Sequence, residues 1–125
     1  MSQPVAIITF MEHSAPTDRG RMSHALNLAS ELQAAGREFK LIFAGKSVEW
    51  LPELFGERAD QHPFVRNYGD HFDRVRSHVE ACNFCCVRFG VRDQVEAADI
   101  PIKGEGKGHM HVSEYVLAGW QVITF

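Results

Sequence analysis

Apolar residues along the chain follow two patterns, short continuous runs and helical stripes. The runs Pro4–Phe10 and Phe39–Ala44 are mostly apolar, which is typical of strands buried on both faces of a sheet. Between them, apolar positions recur at i, i+3, i+4, i+7 and i+10 over Met22–Leu32. That stripe predicts an amphipathic helix from near Arg19 to Gly36. Strand, helix and strand at this spacing predict a βαβ unit with parallel strands.

The rest of the chain carries shorter patterns of the same two kinds. Helical stripes predict further helices at Val48–Phe55, Phe64–Val75, Asn83–Phe89 and Val112–Gly119. Apolar or alternating runs predict further strands at Ser77–Cys82, Ile100–Ile102 and Trp120–Phe125, the middle one short because proline cannot donate to a ladder. Together these elements predict an α/β fold, a three-layer α/β/α sandwich with a mainly parallel sheet of about five strands, in one domain, 1–125.

The net charge and the first residues of the chain argue against several classes of function and location. The chain has 13 Lys and Arg against 16 Asp and Glu, a formal net charge of -3. This balance gives no electrostatic basis for binding nucleic acid or an anionic membrane. The apolar run from Val5 ends at Glu12, too short for a signal-peptide core or a membrane span. We therefore expect a cytoplasmic protein, in which thiols stay reduced.

The cysteines are the most informative residues. All 3 lie between Cys82 and Cys86, so they cannot join distant parts of the fold, and they suggest thiol chemistry or a metal instead. Cys82 closes a predicted strand at the carboxyl edge of the sheet, where ligands bind in parallel α/β folds. It also precedes a predicted helix, whose amino end favours a thiolate. Cys82 is therefore the candidate nucleophile, and a buried structural cysteine is the alternative.

Cys85 follows Cys82 at i+3, one helical turn along. One interpretation is a dithiol–disulfide couple in which Cys82 attacks and Cys85 resolves. Another is half of a metal site, but the nearest histidines, His78 and His109, lack zinc-finger spacing, so neither a metal nor another cofactor is predicted. Cys86 is expected to pack into the helix face.

Loops that follow other predicted strands supply candidate assisting groups. His13 follows the first strand and Lys46 follows the second, so both loops reach the same cleft. A cation beside Cys82 would stabilise its thiolate, whereas the alternative for each residue is a solvated loop. His109 and His111 would share one face of a strand but would diverge near a helix N-terminus, and no metal is assigned to them.

The order of these pieces resembles the DsrE/DsrF-like family of small α/β proteins, which includes sulfur-relay subunits. The first helix and second strand of that family are similar to MSHALNLASELQAAG and FKLIFAG in this chain. Its strand that ends in a cysteine and enters a helix is similar to VEACNFCCVRFGV. Its last helix and strand are similar to YVLAGWQVITF. The resemblance covers nearly the whole chain.

The resemblance implies a sulfurtransferase or persulfide carrier. In sulfur-relay members, the cysteine matching Cys82 accepts sulfane sulfur as a persulfide and hands it to a partner, so sulfur donor and acceptor proteins are expected. The resemblance also implies a homo-oligomer, a trimer or a hexamer. Cys85 and Cys86 depart from the family pattern. They keep two alternatives open: a thiol–disulfide oxidoreductase using Cys82 and Cys85, and a non-catalytic oligomeric binding module.

Overall fold

One sheet of 5 parallel strands lies at the centre of the computed structural model, which describes residues 3–12, 16–55 and 63–125. The strand order is β4-β3-β2-β1-β5, and each neighbouring pair is parallel. The strand bounds are β1 Val5–Thr9, β2 Phe39–Phe43, β3 Val79–Cys82, β4 Ile102–Lys103 and β5 Gln121–Thr124. The predicted three-layer α/β/α fold with a parallel sheet is therefore confirmed.

Helices connect these strands and cover the sheet. Their bounds are α1 Pro16–Ala34, α2 Trp50–Phe55, α3 Pro63–Val75, α4 Asn83–Arg88, α5 Arg92–Ala97 and α6 Ser113–Leu117, with 3-10 turns at Gly45–Glu49 and Arg76–His78. Within the residues described, none of these helices has both the length and the hydropathy needed to cross a membrane.

The central strands are buried on both faces, which explains their continuous apolar sequence. Every residue of β1 is buried, and β1 pairs in register with β2 from Val5 beside Phe39 to Thr9 beside Phe43. The expected apolar stripe of α1 packs against this core through Met22, Ala25, Leu26 and Ala29. These contacts confirm the predicted βαβ unit.

Helix α1 begins at Pro16, before the start near Arg19 that the sequence predicts. Proline is compatible with a first helical turn because its fixed φ suits the helix and its missing N–H leaves no bond unmade there. Asp18 lies in the first turn of this helix. Its Oδ2 accepts a hydrogen bond from the Glu12 amide at 2.8 Å, which ties the helix back to the end of β1.

The strand that carries the cysteines begins later than predicted. Residues Arg76–His78 form a 3-10 turn, so β3 starts at Val79 rather than at Ser77. The His78 ring stacks on Phe39 with centroids 4.1 Å apart, and its Nδ1 lies 3.1 Å from the Phe39 carbonyl oxygen. These contacts hold the turn against β2.

The edge strand β4 is the shortest strand of the described sheet. Strand β4 has 2 residues and lies at the edge beside β3, in keeping with the preceding Pro101. The Pro101 carbonyl accepts a hydrogen bond from the Ala81 amide at 3.0 Å. Lys103 pairs in register with Cys82, so the carboxyl end of β4 comes beside that of β3.

A buried carboxylate lies on β3, two residues before Cys82. Glu80 is 4% exposed, and its Oε1 accepts a short hydrogen bond from the Tyr115 hydroxyl. Its Oε2 lies 3.3 Å from the Lys103 ammonium. Burial, then the hydrogen bond to Glu80, raises the pKa of Tyr115, so this hydroxyl stays a donor. The contacts join α6 and β4 to β3 from inside the fold.

Two buried hydroxyl groups fix the turn after β2 to the end of β1. Ser47 Oγ donates to the Thr9 carbonyl at 2.7 Å, and the two side-chain oxygens lie 2.9 Å apart. Thr9 Oγ1 also donates to the Ile42 carbonyl at 3.2 Å. The turn Gly45–Glu49 therefore has a fixed position at the carboxyl edge of the sheet.

Candidate functional site

A cavity of about 350 Å³ opens at the carboxyl edge of the sheet, beyond the ends of β1, β2 and β3. This is the edge where parallel α/β folds bind ligands. The cavity wall is mostly apolar and includes two thiols and one imidazole. It is lined by Phe10, Ala44, Gly45, Cys82, Cys85, His109, Met110 and Val112.

Cys82 is the last residue of β3 and is 1% exposed. The Met110 amide donates a hydrogen bond to its Sγ at 3.4 Å, and His109 Nδ1 lies 3.8 Å from the same sulfur. The sequence predicted that the following helix would support this sulfur. Instead, Cys82 forms no side-chain capping bond to α4, which has only 6 residues. The polar support comes from the segment after β4.

Cys85 lies on the first turn of α4 and faces the same cavity. The Gly45 amide donates to its Sγ at 3.1 Å. Gly45 adopts a left-handed backbone, φ 56°, which glycine accepts without strain and which places this amide against the sulfur.

The protonation of Cys85 follows from its surroundings. Burial, and next the hydrogen bond with the Cys82 thiol, raise the pKa of Cys85 to about 11, against the opposing effect of the Gly45 amide. Cys85 is therefore a neutral thiol at neutral pH. All 3 cysteines are free.

Cys86 points away from this chemistry and into the core. It is fully buried, as the sequence predicted for a packing residue. Burial, followed by the neighbouring sulfurs of Cys82 and Cys85, raises the pKa of Cys86 to about 12. A thiol in this state is a poor nucleophile, because the thiolate is the reactive form.

Of the two predicted assisting groups, Lys46 is described, and it does not line the cavity. The Lys46 ammonium donates to Glu12 Oε1 at 2.9 Å and lies 4.0 Å from Glu49 Oε1, and the Lys46 side chain is absent from the cavity wall. Its hydrogen bond with Glu12, and then the charge of that carboxylate, raise the pKa of Lys46. His13 lies outside the described residues.

His109 is the residue of the cavity wall that sequence reasoning did not place with the cysteines. Among the residues described, Cys82, Cys85 and His109 form a cluster whose ligand atoms all lie within 4.8 Å of one another. The imidazole is exposed and packs against the Phe84 ring, with ring centroids 4.0 Å apart. The sequence does contain a signal for this position, because His109 follows the predicted strand Ile100–Ile102. A segment that follows a parallel strand beside β3 starts at the carboxyl edge of the sheet, where Cys82 lies.

The glycine-rich loop 104–108 carries His109 into place. The Phe84 amide donates to the Gly108 carbonyl at 3.0 Å, and Asn83 Nδ2 donates to the Gly106 carbonyl. Gly104 has φ 130°, and a Cβ there would lie 2.3 Å from the Gly108 carbonyl oxygen. The glycines therefore permit a tight turn that is hydrogen-bonded to the start of α4.

Apolar side chains surround the mouth of the cavity and extend from it onto α6. Phe10 and Val112 line the cavity and are 49% and 37% exposed. On α6, Val116 and Leu117 are 57% and 86% exposed. We call Phe10, Phe84, Val112, Val116 and Leu117 the apolar rim; exposed apolar groups of this kind commonly mark sites of protein contact.

Comparison with known proteins identifies a family and a solved structure of similar fold. The sequence model of the DsrE/DsrF-like family matches residues 6–125. The solved structure of BT1422, a conserved protein of unknown function from Bacteroides thetaiotaomicron, is 18% identical and covers 96% of this chain and 94% of its own, with a TM-score of 0.60. That likeness concerns the fold. No curated protein matches the sequence.

Proposed function

Because the chain belongs to the DsrE/DsrF-like family, we propose that it carries sulfane sulfur as a persulfide on Cys82 and passes it to a partner protein. Family membership supports a sulfur-relay role in general. The observation that carries the assignment to Cys82 is its place at the end of β3, in a cavity wall, with an amide donor and an imidazole at its sulfur.

The proposed step balances without an added oxidant or reductant. The Cys82 thiolate attacks the outer sulfur of a donor persulfide, R–S–SH. A new S–S bond forms on Cys82 as the donor S–S bond breaks, giving Cys82–S–SH and the donor thiolate R–S⁻. A thiolate of the acceptor then removes the outer sulfur by the same exchange, which returns Cys82 to its starting state.

The surroundings of the sulfur support Cys82 as the attacking group in preference to its neighbours. The Met110 amide stabilises negative charge on the Cys82 sulfur, because hydrogen bonds to a charged form favour it. His109 Nδ1, 3.8 Å away, is placed to take the thiol proton. The raised pKa values of Cys85 and Cys86, about 11 and about 12, keep those thiols neutral.

The cavity suits a persulfide in size and polarity. A bound sulfur atom extends the side chain by an S–S bond of about 2.05 Å, and the cavity of about 350 Å³ holds that extension. Apart from His109, its lining side chains are apolar or thiol, so the carried sulfur is surrounded by soft groups.

The apolar rim supports transfer between proteins. A donor or acceptor protein must bring its own sulfur to the mouth of the cavity, and Phe10, Phe84 and Val112 offer apolar contact there. We extend the proposal to a cytoplasmic location for this protein, to sulfur donor and acceptor proteins as its partners, and to a homo-oligomer, a trimer or a hexamer, since sulfur-relay family members act in complexes.

A second candidate, thiol–disulfide exchange, is favoured by one observation. The sulfurs of Cys82 and Cys85 lie within 4.8 Å of each other, so a modest side-chain movement would bring them to bonding distance. In that reaction Cys85 would attack a mixed disulfide on Cys82 and release the partner as a thiol.

The two candidates are separated by the intact mass of the protein. The reduced protein is incubated with a low-molecular-weight persulfide, and we expect the wild type to gain one sulfur atom. The Cys82→Ser variant should gain none, whereas Cys86→Ala, which alters a core thiol of the same helix, should gain sulfur like the wild type. A wild type that gains no sulfur, or Cys82→Ser gaining as much as wild type, would refute persulfide carriage on Cys82. A loss of two hydrogens in place of the gain would favour the disulfide.

A further inference from the structure

Three metal-ligating atoms from separate parts of the chain meet in the cavity wall. Cys82 contributes its sulfur from the end of β3, Cys85 its sulfur from α4, and His109 a ring nitrogen from the segment after β4. All three atoms lie within 4.8 Å of one another, and Cys82 Sγ is 3.8 Å from His109 Nδ1.

These distances are close to those around a tetrahedral zinc ion. With Zn–S of about 2.3 Å and Zn–N of about 2.0 Å, neighbouring ligand atoms lie about 3.5–3.8 Å apart. The bound of 4.8 Å within which all three ligand atoms lie is about 1 Å above this range. Side-chain rotations of the three ligands, among them the exposed His109 ring, would close a gap of this size without moving the sheet.

Each sulfur already has the second contact that metal-bound thiolates require. The Gly45 amide donates to Cys85 Sγ at 3.1 Å, and the Met110 amide donates to Cys82 Sγ at 3.4 Å. Hydrogen bonds of this kind orient the ligands of a metal and stabilise their charge. Because both donors are backbone amides, these hydrogen bonds are present before any ion arrives.

We propose that Cys82, Cys85 and His109 bind one Zn²⁺ ion, with the fourth coordination position open to the cavity. Thiolate and imidazole ligands suit zinc and exclude magnesium and calcium, which prefer oxygen. The sequence predicted no metal because the histidines lack zinc-finger spacing. The parallel pairing of β3 and β4 brings their carboxyl ends together, so ligands that are far apart in sequence lie close in the fold.

Binding changes the thiols but not their oxidation state. Two S–Zn bonds form, and the thiol protons of Cys82 and Cys85 pass to the solvent as the ion enters. A consequence that rests on the proposed function is that zinc and persulfide exclude each other. The Cys82 lone pair that would attack a donor sulfur is then held in a bond to the metal.

The direct test needs no persulfide. The reduced full-length protein is freed of metal and titrated with Zn²⁺ against a chromophoric chelator, and native mass spectrometry counts the ions bound. We expect one ion per chain. His109→Ala should weaken binding on the order of a hundredfold, because even loss of a contact to a ligand costs about 10–100-fold. His111→Ala is the matched control, since His111 is exposed two residues away and outside the cluster.

A spectroscopic arm identifies the ligands. Co²⁺ replaces Zn²⁺, and its thiolate charge-transfer absorption should be present in wild type and in Cys86→Ala but reduced in Cys82→Ser and in Cys85→Ser. The thermal melting of each variant shows whether it is folded, and a ligand variant that fails to fold is replaced by His109→Ala, whose side chain is exposed. Binding of no ion by the wild type, or equal weakening by His109→Ala and His111→Ala, overturns the site.

Sulfur loading with and without Zn²⁺ separates this proposal from the previous one. Loading of the metal-free protein that is lost with zinc bound agrees with both. Zinc binding without loading in either state refutes persulfide carriage and leaves the metal site standing. Loading without zinc binding refutes the metal site alone, and equal loading of both forms refutes their mutual exclusion.

Discussion

Substitution of Tyr115 by Phe tests whether the buried contact between α6 and β3 stabilises the fold. The change removes one hydroxyl and leaves the ring, which packs edge-on against Trp120 with centroids 5.2 Å apart. Glu80, at 4% exposure, then keeps only its ion pair with Lys103 among the contacts described above. The variant therefore isolates one hydrogen bond to a buried carboxylate.

The expected cost follows from the type of contact. A hydrogen bond to a charged group contributes about 1.5–3 kcal/mol, and a buried acceptor left without its donor keeps the desolvation penalty. We expect Tyr115→Phe to lower the free energy of unfolding by about 2 kcal/mol, which for a chain of 125 residues corresponds to a Tm lower by roughly 6–10 °C. Lys103→Met should cost less, at most about 1 kcal/mol, because the Lys103 side chain is 46% exposed.

The pH dependence has a definite sign. The folded protein raises the pKa of Tyr115 above the value of about 10 that tyrosine has in an unfolded chain. The stabilisation is therefore complete below about pH 10 and is lost as the pH rises further, because the unfolded state then releases its proton and the folded state does not. The difference between wild type and Tyr115→Phe should shrink above that pH.

Urea titrations of wild type and Tyr115→Phe at pH 7 and above pH 10 measure the free energy of unfolding. The two proteins should show the same dependence of that free energy on urea concentration. A Tyr115→Phe variant as stable as wild type at pH 7, or a stability difference that grows above pH 10, would contradict the reasoning.

Three further predictions concern the loop and the thiols. Gly104→Ala should destabilise by about 2 kcal/mol or more, since its Cβ would lie 2.3 Å from a carbonyl oxygen, whereas Gly106→Ala, at φ 60° in open space, should cost only about 1 kcal/mol in thermal melts. In Cys82→Ser, burial, the main cause of the raised pKa of Cys85 and Cys86, remains, so their alkylation should be slow at pH 7 and should rise about tenfold per pH unit above it; fast labelling at pH 7 would contradict this. Cys85→Ser should lengthen the lifetime of the persulfide on Cys82, because its sulfur is the neighbouring thiol that can attack Cys82 and release sulfide; an unchanged rate of sulfide release would exclude that attack.

The central sheet could be predicted because its strands are buried on both faces. Strands β1 and β2 are covered by helices, so nearly every position in them must be apolar, and that signal is read directly from the sequence. Helix α5, with 6 residues, was missed because a segment of that length shows less than two turns of helical period. Its inner contact, Val95, is one buried residue without a stripe around it.

The candidate site was predicted in part. Cys82 and Cys85 were placed from the end of a strand and from helical spacing, both of which are local properties of the sequence. His109 is 27 residues from Cys82, and their approach depends on the pairing of β3 with a strand of 2 residues. Lys46 was expected near the thiols from its loop, but the carboxylate of Glu12 is closer and binds its ammonium. Competition between partners on neighbouring loops cannot be read from a strand pattern.

The short length of β4 affects the rate at which Cys82 can react. Strand β4 pairs with the sheet through 2 residues, Ile102 and Lys103, and on one side, whereas β1 is paired on both sides from Val5 to Ile8. The free energy needed to open this edge locally should therefore be far below that of global unfolding. Amide hydrogen exchange should register the difference as fast exchange in β4 and slow exchange in β1. A sulfur that is 1% exposed in the closed protein then reacts at a rate set by how often the edge opens.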